Sequence, residues 1–200
     1  MPFREVEMIN KLQTGDLIAI GGTSALDIAI KSVTKCNVSA IGVVYKADMP
    51  FIYTISGIND FVMSNLSLWP HFAASQEGSM WVLPLAEFIR TEFDEINFRD
   101  SLFTVGSCML GYKPQHPEID KIKSLVAHDT NYAQLYGVEF ILKAYKQGFK
   151  EFNARPNLAK NNITSLINLK TEDKMPADAI SLGIFADAIQ IKGPEMELFI

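Results

Sequence analysis

The segment NYAQLYGVEFILKAYKQGF, residues 131–149, is the part of the chain around which we arrange the rest. Its apolar residues recur at the spacing of one helix face, in two adjacent stripes: Gly137, Phe140, Ile141 and Ala144 in one, and Val138, Leu142 and Tyr145 in the other. A helix that is apolar around much of its girth belongs inside a domain. Gly137 is the exception, because glycine costs about 1 kcal/mol relative to alanine within a helix and leaves the inward stripe without a side chain.

Length and composition predict one globular domain. The chain has 200 residues, of which 48% are hydrophobic and 20% charged, and no evident linker divides it. The formal net charge is −5, and the nearest basic cluster, Lys143 with Lys146 and Lys150, is interpreted as the solvated edge of the helix. Phosphate binding needs clustered Lys and Arg, so we expect no nucleic-acid partner.

The cysteine content and the first residues predict a cytoplasmic protein. Cys36 and Cys108 are the two cysteines of the sequence, too few for a disulfide framework, and the start MPFREVEM lacks the apolar core of a signal peptide. No apolar run approaches the roughly 20 residues that cross a bilayer. We therefore expect a reducing compartment and no transmembrane segment.

The order of the predicted elements indicates an α+β fold. Strands are predicted at 17–20, 38–45, 51–55, 80–83 and 188–191, with Ile96 and Phe98 as a further edge. Helices are predicted at 25–35, where Ser24 is the N-cap, and at 84–93, 100–112, 117–128, 131–149 and 176–179, with a loop and a short helical piece at 153–168. Strands gather in the first half and helices in the second, which is typical of α+β and not of alternating βαβ units.

Six short motifs occur in a specific order: TGDLIAIGG at 14–22, SAIGVVY at 39–45, FIYTISG at 51–57, MWVLPL at 80–85, LYGVEFILKAYKQGF at 135–149 and MPADAI at 175–180. This succession resembles the circularly permuted branch of the NlpC-type papain-like hydrolases, the YiiX-like group related to the lecithin retinol acyltransferases. It covers most of the chain, and the order of the motifs is its specific feature. The resemblance implies a single permuted NlpC-type domain over residues 1–200, with a small antiparallel sheet or barrel packed against a central helix.

The resemblance also implies three catalytic positions, and this chain fills them with other residue types. Ala40 stands at the histidine of a Ser-His-hydrophobic-Gly strand, Thr54 at a third polar position, and Gly137 at the cysteine of a Cys-x-Glu-hydrophobic helix start. Papain-like catalysis needs a thiolate and an imidazole, which Gly and Ala do not provide. We therefore expect no catalytic residue. An alternative places the nucleophile position at Ala133, but it puts Tyr136 and Gly137 where the family has an apolar pair.

Other cysteines and histidines offer weaker candidates for the missing groups. Cys36 lies four residues before Ala40 and is expected at the rim of the groove, where it would still need a base. None of the three histidines, His71, His116 and His128, has the strand setting of a papain-like base. Unpaired cysteines are more often buried packing groups than nucleophiles, so neither Cys36 nor Cys108 is assigned to catalysis.

A few polar residues are interpreted without a catalytic or metal role. The alternation of His116, Glu118 and Asp120 is a weak metal pattern, and solvated side chains explain it better. We expect no metal and no other cofactor. Asp16, in the Gly-Asp turn, is interpreted as a turn residue that bonds the backbone.

The sequence thus predicts a catalytically inactive papain-like domain that binds a small ligand or a partner protein in the residual groove, or serves as a structural component of an assembly. The alternative is a thiol hydrolase or acyltransferase that acts on an amide or ester bond. The candidate groove residues are Cys36, Ser39, Ala40, Thr54, Tyr136 and Gly137. We further expect the helix that begins near Gly137 to pack across the sheet, with Ala40 facing its first turn.

Overall fold

The computed structural model describes residues 11–46, 50–55, 61–65, 78–108, 119–126, 133–149, 160–171 and 174–199. The strands are β1 (Leu17–Gly21), β2 (Ala40–Lys46), β3 (Pro50–Ile55), β4 (Phe61–Asn65), β5 (Ser79–Leu83) and β6 (Ile189–Lys192). Within these ranges they form one sheet in the order β4-β3-β2-β1-β5-β6, and every neighbouring pair is antiparallel. The predicted antiparallel sheet is confirmed, and β4 is a strand that the sequence reasoning missed.

The described helices lie mostly after β5 and do not alternate with the strands, which confirms the α+β class. They are α1 (Ala25–Thr34), α2 (Glu87–Arg90), α3 (Glu95–Cys108), α4 (Ile119–Leu125), α5 (Ala133–Gly148), α6 (Lys160–Asn168) and α7 (Pro176–Ile180). In the described part of the chain, every helix is too short or too polar to cross a lipid bilayer.

The expected strand edge at Ile96 and Phe98 is wrong, because both residues lie in α3. The Asp94 carboxylate accepts hydrogen bonds from the backbone N–H groups of Ile96 and Asn97, each at 2.9 Å. Such side-chain acceptors satisfy N–H groups that have no partner within the helix. Phe98 then lies on the buried side of the helix and is fully buried.

The two faces of the sheet pack against different residues. The helix-packed face shares the main core with α3 and α5, and its side chains are Leu17, Ala19, Ile41, Val43, Trp81 and Leu83. The second face has its own smaller cluster, which comprises Leu12, Ile18, Ile20, Val44, Met80 and Val82, with the half-buried Ala40 and Ile191. This division follows from the alternation of side chains along each strand.

Helix α5 occupies the central position that its sequence predicts. It packs against β2, β3 and α3, and Phe140, Ile141 and Tyr145 are among its buried residues. The Tyr145 ring lies 5.2 Å from the Phe98 ring, measured between centroids, and its hydroxyl donates a 2.6 Å hydrogen bond to the backbone carbonyl of Gly15. Burial of each large apolar side chain contributes about 1.5–3 kcal/mol, so α5 is a main source of the stability of the fold.

Candidate functional site

The position at which the family resemblance expects the base is the first residue of β2. Ala40 pairs with Ile20 of β1 and packs on the second face, in the same cluster as Ile191. The next residues, Ile41 and Val43, belong instead to the core that contains α5. Successive side chains of a strand point to opposite faces. The expectation that Ala40 faces the first turn of α5 is therefore wrong, because it is its neighbour Ile41 that points toward the helix side.

The position expected for the nucleophile lies inside α5 and not at its beginning. The helix starts at Ala133, one turn before Gly137. The N–H groups that lack a partner within a helix belong to its first four residues, here residues 133–136, so the expectation that the helix begins near Gly137 is wrong. The alternative position, Ala133, is the one at the N-terminus. Neither residue carries a nucleophilic group, so the choice between them does not change the chemistry.

Ser39 belongs to a buried polar network that joins β2 to the start of α1. Its Oγ donates to Asp27 Oδ1 at 2.6 Å and accepts from the backbone N–H of Gly22 at 3.1 Å. Asp27 Oδ2 also accepts from the backbone N–H and the hydroxyl of Ser24, the predicted N-cap residue, and the two complete a capping box. Since Ser39 is fully buried, it does not line an accessible groove as we expected.

Gly22 is the residue that allows this network to close. A Cβ at position 22 would lie 2.3 Å from Asp27 Oδ2, closer than any side chain tolerates. The carbonyl of Gly22 also accepts a 2.7 Å hydrogen bond from Lys31 Nζ. Gly22, directly after β1, is thus needed for the close approach of this strand end to α1.

Cys36 is fully buried in the main core. Its thiol donates to the backbone carbonyl of Leu198 at 3.1 Å. Burial raises the pKa of Cys36, and a hydrogen bond from the backbone of Val38 offsets only part of this rise. A nucleophilic cysteine needs a lowered pKa and access to substrate. The expectation that Cys36 lies at the rim of a groove is therefore wrong.

The C-terminal segment, residues 193–199, contacts Cys36 and its neighbour Asn37. The backbone N–H of Asn37 donates to the carbonyl of Leu198 and its side-chain amide donates to that of Glu197, each at 2.7 Å. Cys36 also forms an isolated antiparallel bridge with Phe199. These contacts join two segments more than 150 residues apart in sequence, which is why no local pattern predicts them.

The remaining candidates stay predictions as groove residues. Thr54 lies in β3 opposite Val62 of β4, and Tyr136 and Gly137 lie in the first two turns of α5. Helix α5 packs against β3 as well as β2. Cys108 is the last residue of α3. His71, His116, His128 and Glu118 lie outside the described residues.

Two further acidic residues have structural partners. Glu139, the Glu of the expected Cys-x-Glu pattern, is buried, and its Oε1 lies 2.5 Å from Lys143 Nζ one turn later. Asp120 is exposed and lies 3.6 Å from Lys123 Nζ, which supports the interpretation of a solvated side chain. Within the ranges that the structure describes, no group of three or more His, Cys, Asp or Glu side chains is placed to hold a metal ion.

The Gly-Asp turn before β1 is held by Asp16, as the sequence predicts. Its carboxylate accepts from the backbone N–H groups of Gln13 (2.8 Å) and Leu85 (3.0 Å) and pairs with Arg90 at 2.5 Å. Burial raises the pKa of Asp16, and these three partners oppose part of the rise. Arg90 also donates to the carbonyl of Thr14 at 2.9 Å. The turn is therefore fixed from both the β5 side and the α2 side.

A pocket of about 540 Å³ adjoins this turn. Its walls include Leu12, Val82, Leu85 and Ile189, and Lys11 and Arg90 are its cations. It lies at the opposite end of β1 from Ala40, which pairs with the fourth residue of that strand. No local sequence pattern marks this pocket, because its residues come from three separate segments, 11–16, 82–90 and Ile189. The available signal was the buried aspartate of the turn, which requires a positively charged partner elsewhere in the chain.

The class that these observations define is an α+β protein with an antiparallel sheet packed on a central helix. Among solved structures, the fold is similar to the crystal structure of the metalloprotein YiiX from Escherichia coli O157:H7, with a TM-score of 0.51 and 16% sequence identity over 91% of this chain and 98% of that one. The chain therefore has a YiiX-like fold. A scan of protein-family models gives no match to the sequence, and a comparison with curated proteins gives none either.

Proposed function

We propose that this chain is a catalytically inactive papain-like domain of the permuted NlpC type. It serves as a binding protein for a small ligand or a partner protein, or as a structural component of an assembly. The observation that carries the proposal is the state of the thiol groups. Gly137 and its alternative Ala133 have none, and the Cys36 thiol is buried and donates a hydrogen bond to the backbone carbonyl of Leu198.

The missing base supports the same conclusion. A papain-like enzyme uses an imidazole to activate the thiol and then to protonate the leaving group. In analogous serine enzymes, removal of one member of the triad lowers the rate by about 10⁴ to 10⁶. Ala40 has no imidazole, and its side chain packs on the second face of the sheet. An imidazole restored there would point away from α5.

The similar structure is that of a metalloprotein, but its metal is not part of the proposal for this chain. The described residues do not bring together a set of side chains that fits a metal ion. All three histidines lie outside the described ranges. The proposed role is binding through the fold itself, and no step of it depends on a metal.

The test combines a turnover assay with thiol labelling. The native protein is incubated with p-nitrophenyl acetate and with peptide anilides, and in parallel with iodoacetamide followed by peptide mapping. We expect no turnover above buffer. We also expect Cys36 to resist labelling until guanidinium unfolds the protein, because a buried thiol with a raised pKa carries little thiolate.

The single variants Cys36→Ser and Cys108→Ser and their combination are the matched controls. Turnover that disappears in either single variant would establish the alternative, a thiol hydrolase or acyltransferase. Turnover that survives in the double variant but is lost on heat denaturation would also contradict an inactive domain. Equal background rates in all four proteins support the proposal.

A further inference from the structure

The C-terminal segment, residues 193–199, contacts Cys36 and Asn37 through its backbone. The carbonyl of Leu198 accepts from the backbone N–H of Asn37 at 2.7 Å and from the Cys36 thiol at 3.1 Å. The carbonyl of Glu197 accepts from the side-chain amide of Asn37, also at 2.7 Å. Cys36 and Phe199 lie opposite each other in an antiparallel bridge. Every extended chain has backbone carbonyls, so these contacts do not require the particular side chains of this segment.

Leu198 is the residue of this segment whose side chain packs against the main core. It is half-buried, whereas residues 193–197 and Phe199 are exposed. Met196 and Phe199 are large and apolar, yet 38% and 48% of their surfaces remain exposed. When a peptide adds to a protein as an extra strand, backbone hydrogen bonds supply the affinity and pockets for single side chains supply the specificity. The segment is held in this manner, with one aliphatic side chain in the core.

The segment is able to detach without disrupting the sheet. Strand β6 ends at Lys192, and the segment leaves it through a turn at Gly193, where φ is 91°. Gln190 holds the start of the segment, since its side chain donates to the carbonyl of Pro194 at 2.5 Å and accepts from the N–H of Met196 at 3.1 Å. Parts of a protein with few buried apolar side chains open at the lowest cost in free energy. We therefore expect the contacts with Cys36 and Asn37 to be open for part of the time.

We propose that Cys36, Asn37 and the core position of Leu198 form a slot for an extended peptide, and that the C-terminal segment is its intramolecular competitor. The partner is an extended segment of another protein, with leucine or another aliphatic residue at the place of Leu198. A slot that is open for only part of the time binds its partner with a proportionally lower apparent affinity. This assignment rests on the proposed binding role, and it names a surface and a partner class for that role.

The experiment is a fluorescence anisotropy titration of a labelled peptide, GPEMELFI, with the full chain. The peptide has the sequence of residues 193–200, and we expect one weak site per native chain. Leu198→Ala in the chain weakens the competitor and leaves Cys36 and Asn37 in place, so the peptide should bind at least about tenfold more tightly. Leu125→Ala is the matched control, because Leu125 is an exposed leucine of α4.

Two altered peptides test how the slot recognises its partner. GPEMEAFI lacks the leucine, and we expect it to bind the Leu198→Ala chain at least about tenfold more weakly than GPEMELFI does. GPEMQLFI replaces the glutamate that corresponds to Glu197, of which the backbone carbonyl forms the hydrogen bond with Asn37. We expect this second peptide to bind like GPEMELFI.

A disulfide provides a reversible lock. Residues directly opposite each other in an antiparallel pair have Cα atoms about 4.5–5.5 Å apart, which a disulfide can bridge. Oxidised Phe199→Cys should therefore join position 199 to Cys36 within one chain and hold the segment in the slot. We expect the oxidised variant to lose measurable binding of GPEMELFI and dithiothreitol to restore it. Phe199→Ser, treated in the same way, is the control and should bind equally before and after reduction.

The proposal is overturned if GPEMELFI does not bind the Leu198→Ala chain, or if GPEMEAFI binds that chain equally well. Failure of the disulfide to form, or equal binding to the oxidised and reduced forms of Phe199→Cys, would also overturn it. If Leu198→Ala does not fold, the two forms of Phe199→Cys decide the question: binding to the reduced form alone supports the slot, and no binding to either form overturns it. Turnover is measured separately, so a negative result here leaves the proposal of an inactive domain unchanged.

Discussion

Replacement of Tyr145 by phenylalanine tests how α5 is held to the Gly-Asp turn. The Tyr145 side chain is fully buried, and its hydroxyl donates a 2.6 Å hydrogen bond to the carbonyl of Gly15. Phenylalanine keeps the ring and its contact with Phe98 but removes the donor. The carbonyl of Gly15 is then left without this partner.

The expected loss of stability follows from leaving the buried carbonyl of Gly15 without its donor. Loss of one partner that leaves a buried polar group unsatisfied costs about 1–3 kcal/mol. For a chain of 200 residues, each kcal/mol lowers the melting temperature by about 2–4 °C. We therefore expect Tyr145→Phe to unfold at a temperature lower by roughly 2–12 °C at pH 7.5.

Tyr145→Phe also tests how the free energy of unfolding depends on alkaline pH. Burial raises the pKa of Tyr145 well above its ordinary value, and the charge of Asp16 adds to the rise. Above about pH 10 the unfolded state therefore loses this proton while the folded state keeps it, so the free energy of unfolding of the native protein falls. By pH 11 this loss amounts to about 1.4 kcal/mol. Tyr145→Phe has no such contribution. The difference in the free energy of unfolding between this variant and the native protein should therefore be smaller at pH 11 by that amount.

Urea denaturation followed by circular dichroism, at pH 7.5 and at pH 11, measures both effects. Tyr45→Phe is the control at pH 7.5, because Tyr45 lies half-buried in β2 and its hydrogen-bond partner is the exposed guanidinium of Arg99. We expect it to cost less than Tyr145→Phe. The reasoning is refuted if Tyr145→Phe costs less than about 0.5 kcal/mol, or if its difference from the native protein is the same at both pH values.

Three further predictions concern the region of β1, β2 and the C-terminal segment. Gly22→Ala should lower the free energy of unfolding by about 1–3 kcal/mol, measured in urea, because the added Cβ overlaps the carboxylate that caps α1. The double variant Ala40→His with Gly137→Cys should show no turnover, and its new thiol should titrate at about 8.5 or above in iodoacetamide labelling. A labelling pKa below about 7 would mean that the imidazole does reach α5. Removal of residues 194–200 should make Cys36 react with iodoacetamide in the folded protein, and continued resistance would show that other residues cover it.

Some features of this protein depend on neighbouring residues and are readable from the sequence. Ser24 as the cap of α1, the strand that became β1 and the long apolar helix α5 each rest on a local pattern. Their hydrogen bonds close within a few residues or follow a repeat of fixed period. The antiparallel sheet and the α+β class follow from the order of such elements.

Short sequence patterns near the ends of helices and strands did not predict the secondary structure correctly. Ile96 and Phe98 alternate as in a strand, yet they lie in α3 because Asp94 caps a helix there. A window of only a few apolar residues fits the period of a strand as well as that of a helix. The helix α5 is described from Ala133, one turn before Gly137, and a periodic run of apolar residues does not show by itself which residue begins the helix.

Which residues from distant segments contact one another is determined by the tertiary structure alone. Cys36 is buried because its thiol and Leu198, 162 residues later, come together, and Asp16 finds Arg90 across 74 residues. The direction of Ala40 was fixed by the register of β2 against β1, since a shift of one residue exchanges the two faces of a strand. Contacts between distant segments depend on how all the elements pack at once, and the sequence of any one segment does not contain that information.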